Sequence, residues 1–169
     1  MLILNYQRMS TEDGSGLRTT LFVKGCPLRC RWCHNPESIS KKRENEWIAA
    51  RCIGCGSCIK ACKRNAVFSV ADGIMFDRGK CVVCGACVNE CPTGAIETKG
   101  EEKSVDEIFS ELIKDRAYFG RDGGVTLSGG EITALADEAE ILLRKLKNYG
   151  INTAVDTSGL CKTESLEKI

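Results

Sequence analysis

Leu17-Arg18-Thr19-Thr20-Leu21-Phe22-Val23-Lys24-Gly25-Cys26-Pro27-Leu28-Arg29-Cys30-Arg31-Trp32-Cys33 is the stretch from which the rest of the chain can be read. Residues 17–24 are dense in β-branched and aromatic side chains and stop at Gly25, which predicts a strand. Cys26, Cys30 and Cys33 follow at once, as CxxxCxxC in one short loop. Four-iron clusters ordinarily take four thiolates. Three leave one iron without a protein ligand, and a substrate or cofactor can coordinate there. The alternative is a structural zinc with His34 completing a Cys₃His set, since closed zinc sites want four tetrahedral ligands.

Downstream, strand and helix patterns alternate. Ser104 and Glu107 have the spacing of a capping box, and Val105, Ile108, Phe109, Leu112 and Ile113 then recur at helical intervals. Residues 125–127 form a short apolar strand running into Ser128-Gly129-Gly130-Glu131. Leu135, Ala139, Leu142, Leu143 and Leu146 make a second helix stripe, ended by Gly150. Residues 151–155 are a third strand, closed by Asp156-Thr157-Ser158-Gly159, and Thr163 opens another helix. This alternation predicts an α/β fold on a parallel sheet. The cysteine loop, Gly129-Gly130-Glu131 and Asp156 would all fall at carboxyl ends of strands, where ligands bind in such folds. Paired glycines let a backbone approach a ligand closely, and Glu131 could accept from an ammonium group, although a tight connection is the plainer reading.

The chain has 12 cysteines and a formal net charge of +1. That charge argues against a nucleic-acid footprint or attraction to anionic membranes. The apolar opening, residues 1–4, is broken by Asn5, Gln7 and Arg8, too short for a secretion signal or a membrane span. A cytoplasmic location is therefore expected, and thiols there point to metal ligation over disulfides. Cys52, Cys55, Cys58 and Cys62 and then Cys81, Cys84, Cys87 and Cys91 form two C-x₂-C-x₂-C-x₃-C runs at a constant offset of 29 residues. They predict a duplicated module over 47–99 with two four-iron clusters. In such pairs the fourth cysteine of each run serves the other cluster. Cys52, Cys55, Cys58 and Cys91 therefore form one set, and Cys81, Cys84, Cys87 and Cys62 the other. A pair of zinc knuckles is disfavoured by the spacing and by the lack of histidines. Cys161 stands apart and reads as a small buried hydrophobe.

Asp13-Gly14, Leu17-Arg18-Thr19-Thr20 and the block from Gly25 to Glu37, with Trp32-Cys33-His34-Asn35-Pro36 inside it, closely resemble the opening of the glycyl-radical-enzyme activating enzymes, a branch of the radical S-adenosylmethionine (SAM) superfamily. The resemblance implies a partial (β/α) radical SAM barrel over 1–46 and 100–169, with a bacterial-type ferredoxin-like α+β insert over 47–99. It implies three [4Fe–4S] clusters and SAM as cofactors, a glycyl-radical enzyme as protein substrate and a flavodoxin or ferredoxin as electron donor. The open iron would bind the methionine end of SAM. Reductive cleavage would yield a 5′-deoxyadenosyl radical that abstracts hydrogen from a glycine of the partner. Trp32, Cys33 and His34 would lie against the adenine (a buried core position is the alternative for Trp32), Gly129, Gly130 and Glu131 would hold the methionine amino group, and Asp156 would be a further polar contact.

Ile132 and Lys63, each where proline is usual after its motif, and Ser15, in place of a common proline, depart from the pattern without removing a ligand. At roughly 30–40 residues per βα unit, the residues outside the insert build three units of a six-unit barrel. The expectation is thus an incomplete barrel in a truncated chain. Two other readings stay open: a non-catalytic iron–sulfur electron carrier, and another radical SAM reaction such as ribonucleotide-reductase activation, whose enzymes resemble a plan without the insert.

Overall fold

A computed structural model describes residues 1–169. The chain divides into two compact units, Met1–Lys42 with Gly100–Ile169, and Arg43–Lys99. In chain order the strands are β1 Leu2–Ser10, β2 Arg18–Val23, β3 Glu44–Trp47, β4 Val67–Val70, β5 Gly73–Phe76, β6 Ile96–Lys99, β7 Glu101–Glu102, β8 Gly124–Gly129 and β9 Asn152–Val155. The helices are α1 Ser57–Ala61, α2 Ala86–Asn89, α3 Val105–Leu112, α4 Ala136–Asn148 and α5 Thr163–Lys168. No helix is long and apolar enough to cross a membrane.

The first unit is an α/β arrangement on one open five-stranded sheet, ordered β7-β1-β2-β8-β9. β2, β8 and β9 run parallel in unbroken register, from Arg18 beside Gly124 beside Asn152 onward. The sequence did not reveal β1, which lies antiparallel to β2 and makes the sheet mixed rather than purely parallel. Its register shifts twice, and Met9 sits at φ 59°, so its buried positions, Ile3 and Ser10, show no alternation. Leu21, Val23, Val125 and Leu127 pack against Ile108 and Leu112 of α3 and Ala139, Leu142 and Leu146 of α4. Burial of these stripes anchors both helices to the sheet. The capping box at α3 forms: Ser104 Oγ accepts from Glu107 N at 3.2 Å while Glu107 Oε2 accepts from Ser104 N at 2.8 Å.

Asp13 and Arg18, part of the block that carried the resemblance, clasp the amino ends of the parallel strands. Arg18 is 1% exposed; it donates to Thr126 Oγ1 (2.7 Å), Val125 O (2.8 Å), Asn152 Oδ1 (3.0 Å) and Ser15 O (3.1 Å). Burial pulls its guanidinium below the ordinary value and Asp13 opposes that pull. Asp13 in turn accepts from Thr20 Oγ1 at 2.5 Å and Ser10 Oγ at 2.6 Å, and its carbonyl accepts from Thr126 Oγ1 at 2.7 Å. These residues fix the register of the strands at the end opposite the cysteine loop. Their role is architectural.

In the second unit β3 pairs with β6 and β4 with β5, both antiparallel. Strand β3 belongs here, so this unit begins at Arg43. Cys58, Val67, Cys87 and Ile96 form its core, with Trp47, Ile59, Ile74, Phe76 and Val88 packed around them. The duplication is written in the backbone: Gly56 and Gly85 share a left-handed turn (φ 70° and 81°), as do Asn65 and Gly94 (50° and 61°) and Gly54 and Val83 (71° and 53°). Val83 is the strained member, because a β-branched residue at positive φ brings Cβ against its own carbonyl. Val83→Gly is expected to raise stability by about 1 kcal/mol, and Gly54→Val to lower it by at least as much. Anaerobic denaturant unfolding of the two variants measures both.

Candidate metal and cofactor site

Three loops meet at the carboxyl ends of β2, β8 and β9. The cysteine loop leaves β2 at Val23 and is closed at its base by Gly25 N to Ser38 O (2.7 Å) and Cys26 N to Ile39 O (3.0 Å). Ser38 braces it from within, donating to Asn35 O at 2.6 Å, and the buried Lys24 donates to the Glu37 carbonyl. Cys26, Cys30 and Cys33 are all half-buried on this pinned loop. Trp32 between them is 84% exposed, so it is not a core tryptophan. Its indole face is available to a planar ligand.

The glycine loop is packed directly on the cysteine loop. Gly130 N donates to Val23 O at 2.8 Å and Glu131 N to Gly25 O at 2.9 Å. A Cβ on Gly129 would lie 2.3 Å from Val23 N, and one on Gly130 would lie 2.5 Å from Gly25 O. The backbone that these glycines let in is thus that of the end of β2 and the start of the first loop. Two of the N–H groups in Gly129-Gly130-Glu131 are already spent on it.

Glu131 ties in the third loop. It is 2% exposed, and its two oxygens accept five hydrogen bonds: from Thr133 N (3.2 Å), Thr133 Oγ1 (2.8 Å), Thr157 Oγ1 (2.5 Å), Ser158 N (3.0 Å) and Ser158 Oγ (2.5 Å). Burial pushes its carboxyl up, but donation from Ser158, Thr157 and Thr133 outweighs that and holds it below the usual value. A carboxylate so committed is a brace between loops rather than a free acceptor, a role that spacing alone did not reveal. Asp156 N donates to Leu127 O at 2.9 Å, and its exposed carboxylate accepts from Ser128 Oγ at 2.7 Å.

The eight remaining ligand candidates line two cavities of the second unit. Cys62, Cys81, Cys84 and Cys87 line one, and Cys52, Cys55, Cys58 and Cys91 the other. The grouping is crossed between the two runs. Ala66 N donates to Cys62 Sγ and Ala95 N to Cys91 Sγ, each at 3.2 Å, the same bond repeated in both halves. Burial acts to raise both thiols, yet the backbone N–H groups around them win and lower Cys62 and Cys91. Burial raises Cys58 and Cys87, whereas Ser57 lowers Cys55.

Thiolate-rich donors with N–H groups aimed at sulfur suit iron–sulfur clusters. No three His, Cys, Asp or Glu side chains converge on a point that would hold a lone metal ion. Cluster thiolates need no such convergence, since each binds a different iron. His34 is exposed and Cys161 half-buried, the latter short of the burial expected for it.

Comparison with known proteins agrees with this donor chemistry. A family model described as a 4Fe-4S single cluster domain matches residues 12–168. The chain is 45% identical to the (2S)-3-sulfopropanediol sulfolyase activating enzyme of Bilophila wadsworthia, over 99% of its own length and 57% of that protein. It is 42% identical to the trans-4-hydroxy-L-proline dehydratase activating enzyme of Clostridioides difficile, over 99% and 56%. It is 45% identical to the benzylsuccinate synthase activating enzyme of Thauera aromatica, over 93% and 49%. The resemblance to activating enzymes of glycyl-radical enzymes therefore holds along nearly the whole chain. The chain spans about half the length of the curated relatives it matches.

Proposed function

The chain belongs to the 4Fe-4S single cluster domain family, and on that premise we propose that it is a radical SAM activating protein that installs a glycyl radical on a partner enzyme. The observation that carries the reading is the pinning of a three-cysteine loop onto Gly129-Gly130-Glu131, itself tied through Glu131 to the Asp156 loop. These supports bring three thiols, a backbone turn and an exposed carboxylate to the carboxyl ends of the parallel strands β2, β8 and β9.

In this reading Cys26, Cys30 and Cys33 would hold one [4Fe–4S] cluster through three thiolates, one fewer than such a cluster ordinarily takes. When bound, the cluster with SAM supplies the reductive cleavage of a carbon–sulfur bond. The protein's own contribution is orientation. The backbone of Gly129 and Gly130 meets the amino group of the methionine end, Glu131 keeps that turn and the third loop in place, and Asp156 offers a polar contact. Trp32, with Cys33 and His34 beside it, covers the adenine. The unit Met1–Lys42 with Gly100–Ile169 then corresponds to the first strand–helix units of a partial barrel, and Arg43–Lys99 to a ferredoxin-like insert. The crossed cysteine sets would hold two further [4Fe–4S] clusters, which would supply electron-transfer chemistry with an external flavodoxin or ferredoxin as donor. The family description speaks of one cluster; the second and third are inferred from the two cysteine-lined cavities.

The test is anaerobic reconstitution, reduction with dithionite and addition of SAM. Formation of 5′-deoxyadenosine and a changed EPR signal are expected. Unchanged EPR and no product, with the clusters in place, would favour the alternative of a non-catalytic electron carrier.

A further inference from the structure

Strand β3 places two side-chain N–H groups in the second unit that the ligand sets leave unexplained. Asn45 and Trp47 stand two residues apart on this strand and so share a face. Asn45 is 1% exposed and lines the cavity of Cys62, Cys81, Cys84 and Cys87. Its Nδ2 donates to Cys87 Sγ at 3.3 Å, and its Oδ1 accepts from Thr98 Oγ1 at 2.8 Å. One cluster site thus already has a side-chain donor on a ligand sulfur.

Trp47 lines the other cavity, that of Cys52, Cys55, Cys58 and Cys91. Its indole Nε1 is buried and has no hydrogen-bond partner. Such a donor is costly and rare in native proteins, so its acceptor needs identifying. The ring is confined: a Cβ at Gly73 would lie 2.0 Å from Trp47 Cη2, leaving little freedom to swing toward another partner.

We propose that the Trp47 indole N–H donates to a sulfur of the cluster ligated by Cys52, Cys55, Cys58 and Cys91, so that β3 supplies one N–H to each cluster and tunes the two separately. This rests on the two-cluster reading of the insert given above. A donor to sulfur stabilises the reduced, more negative cluster and raises its potential.

The test is a potentiometric EPR titration of the anaerobically reconstituted full chain and of Trp47→Phe, which keeps an aromatic ring without the N–H. One potential is expected to fall, the reduced-to-oxidised ratio of that cluster at fixed potential dropping by up to about tenfold, equivalent to about 59 mV for a one-electron couple. The other two potentials should stay in place. Wild-type protein grown with ¹⁵N-indole tryptophan gives a second readout that needs no stable variant: an ENDOR coupling from ¹⁵N to a reduced cluster, retained in Trp32→Phe, the chain having only 2 tryptophans. Clusters present with unchanged potentials and no ¹⁵N coupling would overturn this inference alone. Iron sufficient for a single cluster in the wild type would overturn the two-cluster reading, and this inference with it.

Discussion

On the proposed reading, reductive cleavage of SAM is expected to fall to background in the Cys30→Ala variant while the EPR signals of the two proposed insert clusters persist. Iron should drop from about twelve to about eight per chain, four for each cluster. The loss is expected to be complete rather than partial. Cys30 is the middle thiol of the loop whose base is fixed at Gly25–Ser38 and Cys26–Ile39, and Cys26 with Cys33 alone would leave a four-iron cluster two thiolates short. Cys161→Ala is the matched control and should retain both iron and turnover. Product formation by Cys30→Ala at the wild-type rate would mean that the chemistry is not centred on this loop.

Glu131→Ala is the second large effect. It deprives Thr133, Thr157 and Ser158 of their shared acceptor; water can reach the exposed Thr157 and Ser158, whereas the buried Thr133 is left stranded, at a cost of about 1–3 kcal/mol. We expect a loss of roughly 2 kcal/mol, together with a large fall in SAM affinity as the Asp156 loop comes free. Glu131→Gln should recover little, because its amide turns an N–H toward donors. The pH dependence follows from the lowered carboxyl of Glu131. The brace contributes fully above the unfolded value near 4.5 and is lost as pH falls through the lower folded value. The stability gap between wild type and Glu131→Gln should therefore be constant near neutrality and narrow below about pH 4.5, which denaturant unfolding at a series of pH values would show.

How much of this was legible beforehand depended on whether a signal was local. The strand before Cys26, the α3 capping box and the helix stripe of α4 are short-range patterns, and each formed within a few residues of its expected bounds. The 29-residue repeat is also local in each copy, and the crossed cysteine grouping followed from it. Strand β1 was hidden because its two register shifts erase alternation. Arg18 was quoted for its resemblance, but its bonds to Val125, Thr126 and Asn152 exist only once β2, β8 and β9 are in register. Glu131 was read as a ligand contact, since nothing in Gly-Gly-Glu announces donors 26 and 27 residues away. Trp47 drew no notice at all: its meaning comes from a cavity assembled by residues further along the chain, from Cys52 to Ile96.

The crossed lining of the two cavities means that neither half of the repeat is self-sufficient. Each run would lend its last thiolate to its sibling and borrow one back. Maturation of the insert should therefore be close to all-or-none, with damage by oxygen at one cube loosening a ligand of its neighbour. A lone ancestral run could have closed its cube only by embracing a second copy of itself, and duplication within one chain would have made that handshake permanent.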